Sequence, residues 1–222
     1  MKNPYNKGDA YENKIYDICQ RKKILPPNFK RAGASDKSDI KILHKNTEYN
    51  VEIKADKNAD YGQKYLRWEK DTGWKWSIKD EITDLFDLIN VKNFINKSFI
   101  PRKFSKTNEK ITINDKKYDQ KNFERPDILC PIENLFAYYK NKDCFYIQLE
   151  NYGFYHLEKD IANLGTKKFD GQISLRLRAK TNHSKPIYKY SFLAVMKLSK
   201  KPTKSDWDLE GGDGRKFPKI IP

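Results

Sequence analysis

The segment SDIKILHKNTEYNVEIKADKNADYG, residues 38–62, decides how this chain is read. Ile40 and Ile42 alternate with polar residues, and so do Tyr49, Val51 and Ile53. That period of two belongs to half-buried strands. The HKNTE between the two runs reads as a turn, so residues 39–55 are predicted to form a β-hairpin. Side chains alternate across a strand, which puts Glu52 and Lys54 on one face and Val51 and Ile53 on the other. Asp39 opens the partner strand. All three charged groups can therefore converge at one end of a sheet. The plain alternative is a solvated strand face with a cross-strand ion pair, worth under about 1 kcal/mol.

Around this hairpin the pattern is helix, hairpin, helices, then strands. Residues 8–23 carry Tyr11, Ile15, Ile18 and Cys19 at helical spacing, with Asp9 at the start and Pro26-Pro27 beyond the end. Residues 61–76 are aromatic and basic, and residues 78–94 read as one helix with Ile82, Leu85, Phe86 and Ile89 on a face. Residues 101–126 are polar and Lys-rich and read as an insertion, with a small hairpin at ITINDKKY. A short helix over 132–139 precedes strands over 144–149, 152–157, 173–180 and 189–198, and the tail from Lys200 reads as loop. The expected fold is therefore α/β: a central mixed β-sheet flanked by helices, with a β-rich basic C-terminal part. The expected organisation is one domain over 1–222, with a core at about 8–100, the insertion at 101–126 and the β-rich part at 127–222.

Composition narrows the function. Of 222 residues, 37% are hydrophobic and 14% aromatic, enough for a real core and against global disorder. The formal charge of +15 favours a polyanionic partner. No apolar run is long enough to span a bilayer, and the N-terminal MKNPYNKGDAYENK lacks a signal-peptide core, so a cytoplasmic, membrane-free protein is expected. Cys19, Cys130 and Cys144 are odd in number and widely spaced, which suits neither a disulfide framework nor a zinc site. His44, His156 and His183 are scattered. The GGDGR at 211–215 lacks the strand before and helix after that a nucleotide loop needs, so no nucleotide cofactor is expected.

The chemistry available to Asp39, Glu52 and Lys54 is that of a metal-assisted hydrolase. Two carboxylates suit Mg²⁺, a hard cation that prefers oxygen. Such an ion polarises a phosphoryl oxygen and makes a bound water a better nucleophile. A neighbouring lysine orients that water and offsets charge developing on the phosphate. The bare pattern acidic-x-Lys is cheap here, recurring at Glu12-Lys14, Asp39-Lys41, Asp115-Lys117 and Asp119-Lys121. Context separates Glu52-Ile53-Lys54: it lies inside an apolar strand, with an aspartate at the start of the strand before.

The pattern D39-IKILHKNTEYNV-E52-I-K54 resembles the signature of the PD-(D/E)XK nuclease superfamily, and G8-DAY-E12 resembles its glutamate-bearing first helix. DYGQ at 60–63 resembles the stretch just after the motif in many type II restriction endonucleases; YIQLENYGFYHLEKD and ISLRLRAK look like their recognition half. The likeness covers roughly residues 8–70 and is looser beyond. Ser38 stands where proline is common, and Asp36 competes with Asp39 for the aspartate position. The resemblance implies that Asp39 and Glu52 ligate Mg²⁺, joined by the Ile53 backbone carbonyl, that Lys54 addresses the attacking water, and that Glu12 is an accessory ligand. It implies that Gln63 orients Lys54 or touches the DNA backbone; otherwise Gln63 is a surface amide. It also implies a Mg²⁺-dependent, homodimeric type II restriction endonuclease that cuts double-stranded DNA and leaves 5′-phosphate ends.

Base reading has its own candidates. Arg176, Arg178 and Lys180 alternate with Leu175, Leu177 and Ala179, placing three cations on one strand face. Arginine forks suit guanine edges or phosphate. The loop beyond, with Asn182 and His183, can reach DNA or serve as a plain connection. The aromatics between Tyr65 and Trp76 suit stacking on bases or ordinary core packing. Two other readings share these residues: a non-specific or structure-directed nuclease, and a basic nucleic-acid-binding module whose Asp39, Glu52 and Lys54 are only structural.

Overall fold

The computed structural model describes residues 7–30, 38–56, 59–69, 71–97, 100–106, 110–124, 128–181 and 190–222. In chain order the elements are α1 (Lys7–Arg21), β1 (Ile40–His44), β2 (Thr47–Lys54), β3 (Gln63–Glu69), β4 (Gly73–Trp76), α2 (Glu81–Leu88), α3 (Val91–Lys97), α4 (Arg102–Ser105), α5 (Ile113–Phe123), β5 (Leu129–Cys130), α6 (Ile132–Asn141), β6 (Cys144–Leu149), β7 (Gly153–His156), β8 (Lys167–Lys168), β9 (Gln172–Thr181) and β10 (Tyr190–Lys200). The fold is mixed α/β. Among the described residues it has two five-stranded sheets in place of the single central sheet expected. Among the described residues, no helix is long and apolar enough to cross a membrane.

The chain divides into two compact units built from interleaved segments. One takes residues 1–59, 135–171 and 200–222; the other takes 60–134 and 172–199. Each unit therefore draws on segments from both halves of the sequence.

The first unit holds the sheet β1-β2-β6-β7-β8. Its nucleus is the hairpin foreseen in the sequence, with Ile40 opposite Val51 and His44 opposite Thr47. The turn is the two residues Lys45 and Asn46, at φ 50° and 59°. Both lie in the left-handed region, as a turn matching the strand twist requires. β2 then runs parallel to β6, and β6 antiparallel to β7. Val51 and Ile53 share a buried cluster with Ile40, Ile42 and the inner stripe of α1, Tyr11, Ile15 and Cys19. α1 thus covers the apolar face of β2. The three cysteines are free and buried, as small apolar fillers.

Residues 201–222 close over this unit without a helix or a strand ladder. Phe154 donates to the Trp207 carbonyl at 2.7 Å and Ser205 to the Tyr152 carbonyl at 2.9 Å. That approach requires Gly153, at φ +113°, where an added Cβ would collide with the Trp207 carbonyl and sit 3.0 Å from Ser205 Cβ.

The second unit holds the sheet β4-β3-β10-β9-β5. The stretch 61–76 forms the β3–β4 hairpin, Leu66 opposite Trp76. Tyr61 and Trp76 are buried and Trp74 lies 5.1 Å from Phe192 and 5.4 Å from Trp68, centroid to centroid, while Tyr65 and Trp68 are exposed. The helix read over 78–94 is two, α2 and α3, because Asn90 adopts φ 57°. The hairpin read at ITINDKKY is instead the start of α5. Thr112 accepts from the Asp115 backbone at 3.2 Å, while Asp115 Oδ2 accepts from the Thr112 backbone at 2.9 Å. This reciprocal cap satisfies two orphan N–H groups and outweighs a brief alternation of apolar residues.

Gly153→Ala is expected to destabilise the protein by on the order of 2 kcal/mol or more. Urea unfolding checks it, and an unchanged midpoint would contradict the close approach of Trp207.

Candidate functional site

The β1–β2 register sets the site. With Ile40 opposite Val51, the next step outward puts Asp39 opposite Glu52. Asp39 lies just past the last ladder pair, and its Oδ2 accepts from the Ile53 backbone N–H at 2.6 Å. The residue before it is held too, with Ser38 donating to Asn50 Oδ1 at 2.9 Å. Ser38 therefore ties the chain just before Asp39 to β2. Asp36, the rival aspartate, lies outside the described residues.

Glu52 faces away from α1 and is 6% exposed. Its Oε1 receives Lys54 Nζ in a close ion pair and the Tyr139 hydroxyl at 3.1 Å. Tyr139 lies on α6, so that helix orients the carboxylate. Ile53, between them, runs opposite Gln148 of the parallel strand β6. Glu12 on α1 acts electrostatically on both Asp39 and Lys54. The structure thus brings together Asp39, Glu52, Ile53 and Lys54 in the first unit, with Glu12 on α1 of the same unit felt there as a weak charge.

Burial pushes the Asp39 carboxyl up to about 7, and the Glu52 charge adds to it. Lys54, the Ile53 N–H and then Glu12 enter more weakly, the first two lowering it and the third raising it. Burial pulls the Lys54 ammonium down, but Glu52 and then Asp39 outweigh it, so its pKa is raised. Lys54 is therefore a cation at neutral pH.

This donor set fits a hard dication. Two carboxylates face each other in a poorly hydrated place, and the strain shows as a carboxyl that resists ionisation; an ion bound by both oxygens would relieve it. Among the described residues no three His, Cys, Asp or Glu side chains are gathered as a ready cage. Asp39 and Glu52 would hold such an ion as a pair, open to other oxygens.

In the second unit, Arg176, Arg178 and Lys180 are half-buried on β9 while Leu175, Leu177 and Ala179 are buried. The alternation is as read, but the two arginines are not unpaired. Glu124, at the end of α5, takes Arg176 Nε at 2.7 Å and lies 4.0 Å from Arg178 Nε. Lys103 donates to the Ala179 carbonyl at 3.2 Å. Burial lowers the Lys180 pKa, and Arg178 and Lys103 lower it further, so positive charge is concentrated there. Gln63 opens β3 as an exposed residue of this unit, opposite Val195. Asn182 and His183 lie outside the described residues.

Tyr139 and Glu124 were not legible in the sequence. Each sits far along the chain from the group it touches, in a segment read only as a short helix or an insertion. No protein-family model, no curated protein and no solved structure matches this chain.

The Asp39 shift has a signed consequence. Unfolded, the carboxyl ionises near 3.8; folded, near 7. Folding therefore takes up a proton between these values, and stability falls as pH rises through them. Asp39→Asn keeps the acceptor for Ile53 and removes the charge. In chelator, the variant is expected to be more stable than wild type at pH 8 by on the order of 2 kcal/mol, its partial exposure allowed for. The gain should fade towards pH 4.5. Thermal melts of both proteins across this range check it, and parallel curves would contradict it.

Proposed function

We propose that the protein is a Mg²⁺-dependent deoxyribonuclease that hydrolyses phosphodiester bonds of double-stranded DNA, with site-specific cleavage of the type II restriction kind as the leading form. The observation that carries this reading is the convergence of Asp39 and Glu52 beside a charged Lys54, with the Asp39 carboxyl raised by burial and by the Glu52 charge. Support for the restriction endonuclease-like core comes from the helix bearing Glu12 packed on the hairpin bearing the other three.

When bound by Asp39 and Glu52, with the Ile53 carbonyl available, Mg²⁺ supplies Lewis-acid polarisation of the phosphate and a more acidic water. Carboxylates alone would repel a phosphodiester. Lys54, protonated at neutral pH, offsets that repulsion and donates a hydrogen bond to the water or to a phosphate oxygen. Tyr139 fixes Glu52 through the 3.1 Å hydroxyl contact. Glu12 adds negative charge that favours the ion. Arg176, Arg178 and Lys180 grip the polyanion, with Glu124 as the counter-ion that DNA must displace.

The net charge and the β9 cations also fit a basic binding module, which separates from a nuclease by strand scission. The decisive experiment is digestion of a long, unmethylated DNA of known sequence, with and without Mg²⁺, by wild type and Glu52→Ala. Discrete Mg²⁺-dependent fragments absent in the variant are the expected result. A smear lost in the variant would favour a non-specific or structure-directed nuclease. Tight, salt-sensitive binding without scission would leave only the module.

The same reading gives two further outcomes. Tyr139→Phe should lower the cleavage rate by about 10-fold at unchanged DNA affinity, since only the orientation of Glu52 is lost. Glu124→Gln should tighten DNA binding and steepen its salt dependence, while Arg176→Ala should weaken both. Filter binding across a salt series reads the second pair.

A further inference from the structure

The geometry points to Glu210 as a positioning residue that fixes α1, and with it the place from which Glu12 is presented towards the strands that carry Asp39 and Lys54; this rests on the reading of Glu12 as an accessory ligand. Glu210 lies in the irregular segment after β10, in a stretch to which the sequence assigns no role. Its two oxygens are spent on one turn of α1: Oε1 accepts from the Tyr11 hydroxyl at 2.6 Å, and Oε2 pairs with Lys14. Tyr11 and Lys14 bracket Glu12. Residues three apart share a helix face, so two tethers to one carboxylate fix both the rotation of the helix and its slide along its axis. The Cα–Cβ bond of Glu12, between them, is thereby held in one direction.

The anchor itself is rigid. Gln148, fully buried on β6, donates to the Tyr11 oxygen at 3.0 Å and to Asp208 Oδ1 at 2.7 Å, and accepts from the Leu209 backbone at 3.1 Å. Asp208, also fully buried, lies with its Oδ2 2.8 Å from Arg215 Nη2. Gln148 stands opposite Ile53, between the residues that carry the site. The network therefore ties α1, the strand beside Glu52 and Lys54, and the 208–215 segment to a common frame. An apolar filling of the same volume would hold these elements as firmly without burying charge. Directed hydrogen bonds add orientation, which an accessory ligand needs and a core does not.

The test is Mn²⁺ binding to the full chain, read by electron paramagnetic resonance of the free ion, with no DNA and no turnover. Wild type, Asp39→Asn, Glu12→Gln, Glu210→Ala and the double variant Glu12→Gln/Glu210→Ala are compared. Glu210→Ala is expected to weaken binding about 10-fold, as Glu12→Gln does, with the double variant no weaker than Glu12→Gln alone. Glu210→Gln, which keeps an acceptor for Tyr11, is expected to restore most of the affinity. Wild-type affinity in Glu210→Ala, or a loss that adds to that of Glu12→Gln, would overturn the positioning role while leaving the nuclease reading intact. Absent binding by wild type, or binding unchanged in Asp39→Asn, would overturn both. Should Glu210→Ala fail to fold by circular dichroism, Tyr11→Phe, which keeps the ring and drops the hydroxyl, carries the same criteria.

Discussion

Antiparallel pairing of Ile40 with Val51 forces Asp39 to face Glu52, and much of the first unit can be understood from that confrontation. Two carboxylates at such range cannot both ionise cheaply where water is scarce. The protein answers with a cation on the same strand face, a backbone N–H on Asp39 and a tyrosine hydroxyl on Glu52. These partners reduce the repulsion, while burial, with the Glu52 charge adding to it, still raises the Asp39 carboxyl to about 7. A hydrophobic strand does not gather such groups for stability. The cost is intelligible if a ligand of opposite charge completes the site.

The hairpin provides this geometry because its register is fixed twice over. A slip of one residue would turn Val51 and Ile53 out of the apolar cluster they share with α1, and a two-residue turn with both φ angles positive leaves no slack. The same alternation that seals one face against α1 presents Glu52 and Lys54 on the other, towards α6. Packing and chemistry are thus set by one periodicity.

The second unit manages its charge differently. Alternation on β9 produces a row of cations, and Glu124 neutralises part of it from α5. The row is therefore a partly compensated surface, its two arginines sharing one half-buried carboxylate. The capping box that starts α5 places Glu124 at the helix end, so a local feature of the polar insertion governs a distant strand.

The hairpin, α1, α6, β6, β7 and the cores of β9 and β10 were legible because each is announced by a local period. So was the shared face of Glu52 and Lys54, which results from alternation alone. Other features were misread where local signals conflict: the alternation in ITINDKKY hid the Thr112–Asp115 cap, Asn90 split a helix that periodicity continued, and the aromatic run at 61–76 concealed a hairpin. What only the tertiary structure decided is which distant segments meet: Tyr139 on Glu52, Glu124 on Arg176, Glu210 on Tyr11 and Lys14, and two sheets woven from interleaved pieces of chain. Those pairings carry no period, because a hydrogen bond between residues far apart in sequence constrains only their two end points and leaves the residues between them free to vary.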